Sequence, residues 1–475
     1  MSGPQRTGGS APRRPPRRRG KPLPDAPRRV AFDLLRAVDE KDAYANLALP
    51  GLLRDRGLAG RDAAFATELA YGTLRGRGSY DAVLTSCVDR PLEQVDPPVL
   101  DLLRLGAHQL LGMRVPSHAA VAATVELARA VAGEGRGSFV NAVLRRVARQ
   151  DLAAWLAQVA PPYDEDPVGH LAVVHSHPAW VVSALRDAVG GSLRRTAAVL
   201  AADNVAAQVT LVARPGRCEP SELLDAGAVA GRFSPYAAVL PGGDPGALPA
   251  VREGRAGVQD EGSQLVALAL ADAPVDGPDD ADRRWLDLCA GPGGKAALLA
   301  AVGAGRGARL LAAELAPHRA RLVAHALDGT GDVVVADART PAWPAGAFDR
   351  VLLDAPCTGL GALRRRPEAR WRRQPEDVPA LAALQRQLLA AALDAVRPGG
   401  LVAYVTCSPH LAETRTVVTD VLHRRGVDID RVDARPYLPG VPDLGPGPDV
   451  QLWPDLHGTD AMYLSLLRRR PETAR

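Results

Sequence analysis

The chain of 475 residues is poor in sulfur and rings, with five cysteines, three methionines and only 4% aromatic residues. With so few aromatics, its cores must be packed from Ala, Leu and Val. Cys87, Cys218, Cys289, Cys357 and Cys407 are odd in number and form no C-x-x-C pair. That argues against a disulfide framework and a structural zinc site, and no metal is expected. No apolar run reaches the roughly 18 residues of a membrane-spanning helix, so no membrane partner is expected. The first residues lack the apolar stretch of a secretory signal. A cytoplasmic protein with free thiols is the expectation. Lysine is also scarce: Lys21, Lys41 and Lys295 interrupt a basic set otherwise made of arginine. Arginine cannot replace a compact ammonium everywhere, which makes Lys295 conspicuous.

What is present is 47% hydrophobic and 24% charged residues, the balance of a soluble globular protein. The length suits two or three domains. The net charge of +4 is unevenly placed. Residues 1–29 hold nine basic residues against Asp25, a local +8, which leaves the other 446 residues at −4. With seven prolines and four glycines in that stretch, residues 1–27 read as a disordered basic arm. Such an arm suits electrostatic attachment to RNA, or is simply a solvated tail.

Residues 28–157 read as an all-α domain of several short helices. Val30, Leu34, Leu35 and Val38 recur at helical spacing, as do Val99, Leu103, Ala107, Leu110 and Leu111. Glycines and prolines at 57–60, 97–98, 116 and 133–137 punctuate it. Arg145, Arg146 and Arg149 flank its last apolar face and are weaker RNA candidates. Residues 158–257 read as a small connecting α/β subdomain, with a helix at 180–199 and a strand at 207–213. Residues 271–284 form an acidic, low-complexity surface loop. From 258 to 475, short apolar strands (285–289, 308–315, 332–337, 348–356, 400–408) alternate with helices (295–302, 317–328, 377–397, 411–424). That alternation predicts a parallel doubly wound sheet, with 462–470 as a closing strand. The fold class is therefore α plus α/β.

Chemistry gathers at the carboxyl ends of these strands, where open α/β sheets bind ligands. LDLCAGPGGKA (286–296) places Gly291, Gly293 and Gly294 between a strand and a helix. Cys289 and Ala296 stand where a P-loop needs Gly and Ser or Thr, so an ATPase or kinase is disfavoured. Nor does the loop fit G-x-G-x-x-G, which disfavours a nicotinamide cofactor. Glu314, 25 residues after Cys289, suits a ribose hydroxyl pair. With Asp337 and Asp354, three successive strands end in carboxylates. Ribose hydroxyls, a base and a positive centre would complement that edge, and S-adenosylmethionine has all three. Strand four runs into DAPCTGLG (354–361) and strand five into TCSPH (406–410), so Cys357 and Cys407 share this edge. Both sit in small polar turns, unlike Cys87 and Cys218, which read as buried structural thiols.

LDLCAGPGGK, DAPCTGLG and YVTCSPH together resemble the RNA cytosine-C5 methyltransferases of the Sun/Fmu type, which use S-adenosylmethionine. VQDEGSQL (258–265), RRRPEARWRR (364–373) and LQRQLL (384–389) agree, and the helical segment ending SFVNAVLRR is similar to the NusB-like RNA-binding domain of one branch. HSHPAW (175–180) and LWPDLHGTDAMYLSLL (452–467) match that branch, whose substrate is a cytosine of 16S rRNA. The resemblance covers nearly all the chain except the basic arm. It implies a Rossmann-like methyltransferase domain over 258–475, an rRNA partner and a monomer. By the same resemblance, Cys289, Ala290, Gly291, Pro292, Gly293, Gly294 and Lys295 form the cofactor loop. Glu314 holds the ribose, Asp337 meets the adenine end, and Asp354, near the methyl donor, contacts the base at N3/O2 while protonated or sharing a proton, with Lys295 in support. Cys407 would be the nucleophile and Cys357 would assist product release. DNA cytosine methyltransferases attack through a Pro-Cys cysteine, here Cys357; the RNA branch favours Cys407. Arg364, Arg365, Arg366, Arg370, Trp371, Arg372 and Arg373 are expected to contact RNA through phosphates and stacking. The same chemistry on a tRNA or another rRNA cytosine is one alternative. A non-catalytic RNA-binding factor with a vestigial fold is another, against which the intact cysteines and GPGGK argue.

Overall fold

The computed structural model describes residues 25–278 and 282–471; of the arm expected over 1–27, residues 1–24 lie outside them, and 25–27 are not disordered but cap and begin the first helix. Seven helices open the described chain: Ala26–Lys41, Ala45–Asp55, Gly60–Cys87, Pro97–Leu111, Ser117–Ala132, Glu134–Val147 and Leu152–Val159. The first starts where expected for chemical reasons. The Asp25 carboxylate accepts from the Arg28 N–H at 3.2 Å, and Pro27 lies in the first turn. Val30, Leu34, Leu69, Leu84, Leu102, Leu103, Val140 and Leu144 interlock in one core. Each large side chain buried there contributes about 1.5–3 kcal/mol.

One helix departs from the expectation of short elements. Gly60–Cys87 runs 28 residues straight through Gly72, Gly76 and Gly78. These glycines do not break it; they admit neighbours. A Cβ on Gly72 would lie 2.1 Å from the His108 ring, and one on Gly78 would lie 2.7 Å from the Trp371 ring. Close packing here outweighs the roughly 1 kcal/mol helix cost of each glycine.

In the connecting region, the single helix expected at 180–199 is two helices, Ala179–Ala188 and Leu193–Asp203. Gly190 and Gly191, at φ +76° and +84°, turn the chain between them. With Pro167–Val174 they pack against Leu360, Leu363 and Trp453. A four-stranded antiparallel sheet follows: β1 (Val209–Ala213), β2 (Val229–Ala230), β3 (Ala237–Leu240) and β4 (Ala256–Val258), in the order β2-β3-β1-β4.

The last region is an eight-stranded sheet. Its strands are β5 (Arg284–Asp287), β6 (Arg309–Glu314), β7 (Asp332–Val335), β8 (Phe348–Asp354), β9 (Val396–Thr406), β10 (Ile429–Val432), β11 (Val450–Gln451) and β12 (Tyr463–Arg469). The order is β10-β12-β9-β8-β5-β6-β7, with β11 beside β12. β5 to β9 are parallel, while β10, β11 and β12 pair antiparallel. The expected closing strand exists, and it makes the sheet mixed rather than wholly parallel. Leu352, Leu353, Val402, Ala403 and Tyr404 are fully buried, so both faces of the central strands are covered. Helices Glu261–Asp272 and Asp377–Ala395 cover these central strands, while Gly294–Gly305 and Pro317–Leu327 cover β6 and β7. Among the described residues no helix is long and apolar enough to cross a membrane, and no group of three potential ligands could hold a metal.

Candidate active site

β5 ends at Asp287, and the chain turns through 288–293 into the helix Gly294–Gly305. Surrounding atoms require two of the loop glycines. Gly293 caps the helix at φ +112°, and a Cβ there would lie 2.7 Å from the Cβ of Ala326. A Cβ on Gly291 would lie 2.3 Å from a carboxylate oxygen of Glu314. The Gly291 N–H donates to Glu314 Oε2 at 3.0 Å and the Ala316 N–H to Oε1 at 3.0 Å, while Arg319 donates to the Gly291 carbonyl at 2.6 Å. The acid ending β6 thus clamps the loop leaving β5, and each of its oxygens keeps a second lone pair. The Ala290 N–H donates to the Ala313 carbonyl at 2.9 Å, and Pro292 is exposed at the tip. The Cys289 thiol is pushed up by burial and by the neighbouring Asp287 and Asp354 carboxylates, so it stays neutral.

Three further acids stand on this edge. Asp287 is 1% exposed, and neither of its oxygens has a hydrogen-bond partner among the described residues. Burial first, then Asp354, pushes it up to about 8. Asp354 closes β8 and accepts from Lys295 Nζ at 2.8 Å. Burial works against the Lys295 charge, but the Asp354 carboxylate outweighs it and the lysine is raised. Lys295 is thus the ammonium wedged between the glycine loop and the end of β8. Asp337, two residues beyond β7, accepts from the Arg339 guanidinium at 2.6 Å and from its backbone N–H at 2.9 Å. These bonds pull Asp337 down to about 2.

Cys407 follows β9 directly, and Cys357 follows β8 by three residues. Their Sγ atoms lie 3.4 Å apart, in hydrogen-bonding contact. Their contact makes the two thiols unequal in proton affinity. Cys407 is lowered, chiefly by the bond from Cys357, with Lys295 and Arg366 helping against burial and Asp354. Cys357 is raised well above an ordinary thiol, by that same bond and by burial. The arrangement therefore favours a thiolate at Cys407 and a thiol at Cys357.

The arginine-rich segment departs from the sequence expectation. Arg370 is fully buried. Its guanidinium donates to Asn204 Oδ1 at 2.7 Å and to the carbonyls of Asp203 at 2.8 Å, Ser176 at 3.1 Å and Arg75 at 3.2 Å. It joins the first helical region, the connecting region and the sheet, and has no face left for RNA. Trp371 packs on Gly78 with Arg77 above its ring at 5.7 Å, so it is not free to stack on a base. Arg365 chelates the buried Asp460, and Arg364 donates to the Gly458 carbonyl at 2.8 Å. Arg366 and Arg372 flank the half-exposed Tyr44 ring at 5.3 and 5.0 Å, and Arg373 lies 3.9 Å from Asp377. Of these seven residues only Arg370 is buried; the other six are partly exposed and differ in the partners their side chains already hold, which residue type alone does not reveal.

Comparison with known proteins agrees with this edge. The family model for the 16S rRNA methyltransferase RsmB/F matches residues 275–468, and that for the NusB family matches residues 25–149. A Mycobacterium tuberculosis protein named as a methyltransferase is 56% identical over 460 residues, which is 96% of this chain and 98% of the relative. The Vibrio cholerae ribosomal RNA small subunit methyltransferase B is 31% identical over 453 residues, 93% of this chain and 96% of its own. The chain belongs to the RsmB/F family of 16S rRNA methyltransferases. Among solved structures, that of PH0851 matches with a TM-score of 0.77 at 20% identity, over 94% of this chain and 99% of that one, a likeness of fold.

Two residues of this RsmB/F edge escaped the sequence reading. Asp287 sits inside an apolar strand, where it looks like the ordinary last residue of β5. Glu413 falls in a stretch expected to be a helix, yet it is wholly buried between the two cysteine turns. A carboxylate at a strand end beside a glycine loop is a usable signal for the first. Nothing in the local sequence marks the second.

Proposed function

We propose that this chain transfers the methyl group of S-adenosylmethionine to C5 of a cytosine in 16S rRNA, through a transient bond between Cys407 Sγ and C6 of the base. The pair of sulfurs 3.4 Å apart at the ends of β8 and β9 carries the reading. A single buried thiol would be structural; two thiols of unequal proton affinity beside an ammonium–carboxylate pair have a chemical use.

The edge also fits the cofactor. Asp287 offers an unpartnered buried carboxylate suited to the ammonium of the methionine moiety. Gly291 and Gly293 have no room for a Cβ, because the loop packs closely on Glu314, Arg319 and the helix Pro317–Leu327, which holds the turn beside the strand ends. Glu314 would hold the two ribose hydroxyls and Asp337 the exocyclic amine of the adenine. When bound, S-adenosylmethionine supplies an electrophilic methyl on a sulfonium.

Cytosine C5 is a poor nucleophile until a thiolate adds at C6 and makes the ring an enamine. Cys407 supplies that thiolate. Negative charge then grows on the N3/O2 side of the base; Asp354 is the group expected from the sequence to meet it, but it accepts from Lys295 at 2.8 Å, so Lys295 would be the donor that does. After C5 gains the methyl group, a water molecule takes the C5 proton, the C5–H electron pair becomes the ring double bond, and the S–C6 pair returns to Cys407 as its thiolate. Cys357 assists that release. The base must leave any stack to meet the thiol. Arg366 and Arg373, with Tyr44, would hold the flanking RNA, since the Arg372 guanidinium already donates to the Ala43 carbonyl. We assign residues 28–157 to RNA docking, 158–257 to connection and 258–475 to methyl transfer, a division supported by the family-model matches. Bisulfite sequencing of rRNA and tRNA from a strain lacking the gene tests the substrate. Loss of one 16S site is expected; an unchanged 16S profile with a lost tRNA site would refute the 16S assignment.

A further inference from the structure

Glu413 lies in the turn Leu411–Glu413 and is 0% exposed. Its Oε1 accepts from the Thr358 N–H at 2.8 Å and from Gln385 Nε2 at 3.2 Å. Its Oε2 accepts from Thr358 Oγ1 at 2.5 Å and from Ser408 Oγ at 2.6 Å. The two hydroxyls lie 3.1 Å from each other, farther than either lies from the carboxylate. Each therefore points its one proton at Glu413. With four donors on two oxygens, every acceptor position of the carboxylate is filled.

The partners are the residues that follow the two cysteines. Thr358 comes after Cys357 and Ser408 after Cys407. A buried, fully bonded charge is held by its surroundings and in turn fixes them. The attachment is unequal, since Glu413 holds the Cys357 turn by two bonds and the Cys407 turn by one. We propose that Glu413 is the positioning residue of the two-thiol centre, tying the turns together and fixing a negative charge on the Cys357 side, so that the pair's own negative charge sits on Cys407.

This proposal rests on reading Cys407 as the nucleophile. The other charged or titratable groups facing the pair are Lys295, Asp354, Arg365, Arg366 and Tyr404. Consistent with the geometry, Glu413 contributes to raising Cys357, while Lys295 and Arg366 act to lower Cys407.

The test is alkylation of the full-length protein by iodoacetamide across a pH series, each cysteine followed by peptide mass spectrometry. Both thiols are partly accessible. In the wild type Cys407 should react faster than Cys357. Glu413→Gln keeps the shape but loses the charge and one acceptor. It should shrink the Cys407-to-Cys357 rate ratio by about tenfold, the change in thiolate fraction that one pKa unit makes. Glu413→Asp should recover part of the ratio, which loss of packing alone would not do. Ser408→Ala cuts the Cys407 tie without touching the charge, and should shift the ratio the same way by less. If Glu413→Gln does not fold, Ser408→Ala decides alone. Wild-type ratios in the folded variants would overturn the proposal. Neither RNA nor methyl donor is needed, so absence of methylation in a separate assay counts against the proposed function and not against this one. A wild type in which Cys357 reacts faster would refute the placement of charge on Cys407.

Discussion

Replacing Asp287 by Asn removes a carboxyl group and keeps its shape. In the folded protein this group titrates near 8, against 3.8 for an ordinary aspartate, because burial and then Asp354 disfavour its charge. A raised carboxyl favours the fold most below the unfolded value and loses that contribution as pH climbs through the folded one. Between those limits unfolding releases a proton, and stability falls by about 1.4 kcal/mol per pH unit from this group. From pH 5 to pH 7 the loss amounts to about 3 kcal/mol. Asn cannot titrate, so Asp287→Asn should gain that much on the wild type over the same interval. At about 2–4 °C per kcal/mol, the difference in Tm should widen by about 6–12 °C in favour of the variant. Differential scanning calorimetry of both proteins at the two pH values measures it, and groups common to both cancel. The same substitution should weaken S-adenosylmethionine binding, because the bound ammonium loses its counter-charge. Wild-type binding at pH 7 should release close to one proton, and variant binding none, by calorimetry in two buffers. A Tm difference that does not change with pH would refute the assignment of Asp287 as a buried, proton-holding carboxyl.

Other outcomes are equally specific. Cys407→Ala should abolish methylation, whereas Cys357→Ala should accumulate a covalent protein–RNA species on denaturing gels; an adduct formed by Cys407→Ala would reverse the roles. Arg370→Met removes four buried hydrogen bonds that join three regions, and should destabilise the protein by about 3–5 kcal/mol and open new proteolytic sites near 160–205. Unchanged proteolysis would deny Arg370 its structural role. Removing residues 1–24, which spares the Asp25 cap, should flatten the salt dependence of RNA binding and leave turnover at saturating RNA intact. A fall in that turnover would tie the arm to chemistry.

The strand ends of this protein are legible in its sequence because the parallel strands are apolar throughout and their carboxyl ends are not. Asp354, Cys357 and Cys407 stand out for that reason, and the structure brings them together with Lys295. Glycine is harder to read. The same residue turns the chain at Gly190 and Gly191 and passes through a helix at Gly72 and Gly78. The difference lies in a His108 or Trp371 ring that is remote in sequence. Arg370 and Trp371 fail for the converse reason. A run of arginines around a tryptophan has the composition of an RNA-binding edge, but whether it faces solvent depends on partners 166 to 295 residues earlier in the chain. Glu413 was invisible because its partners come from three separated segments, at Thr358, Gln385 and Ser408.

Incubating the purified full-length chain and its Cys407→Ala variant with S-adenosylmethionine and a 16S rRNA transcript, then digesting the RNA to nucleosides for mass spectrometry, tests the central claim most directly. 5-Methylcytidine should appear with the wild type, at one site, and be absent with the variant. Methylation at another atom, or equal 5-methylcytidine from both proteins, would contradict it.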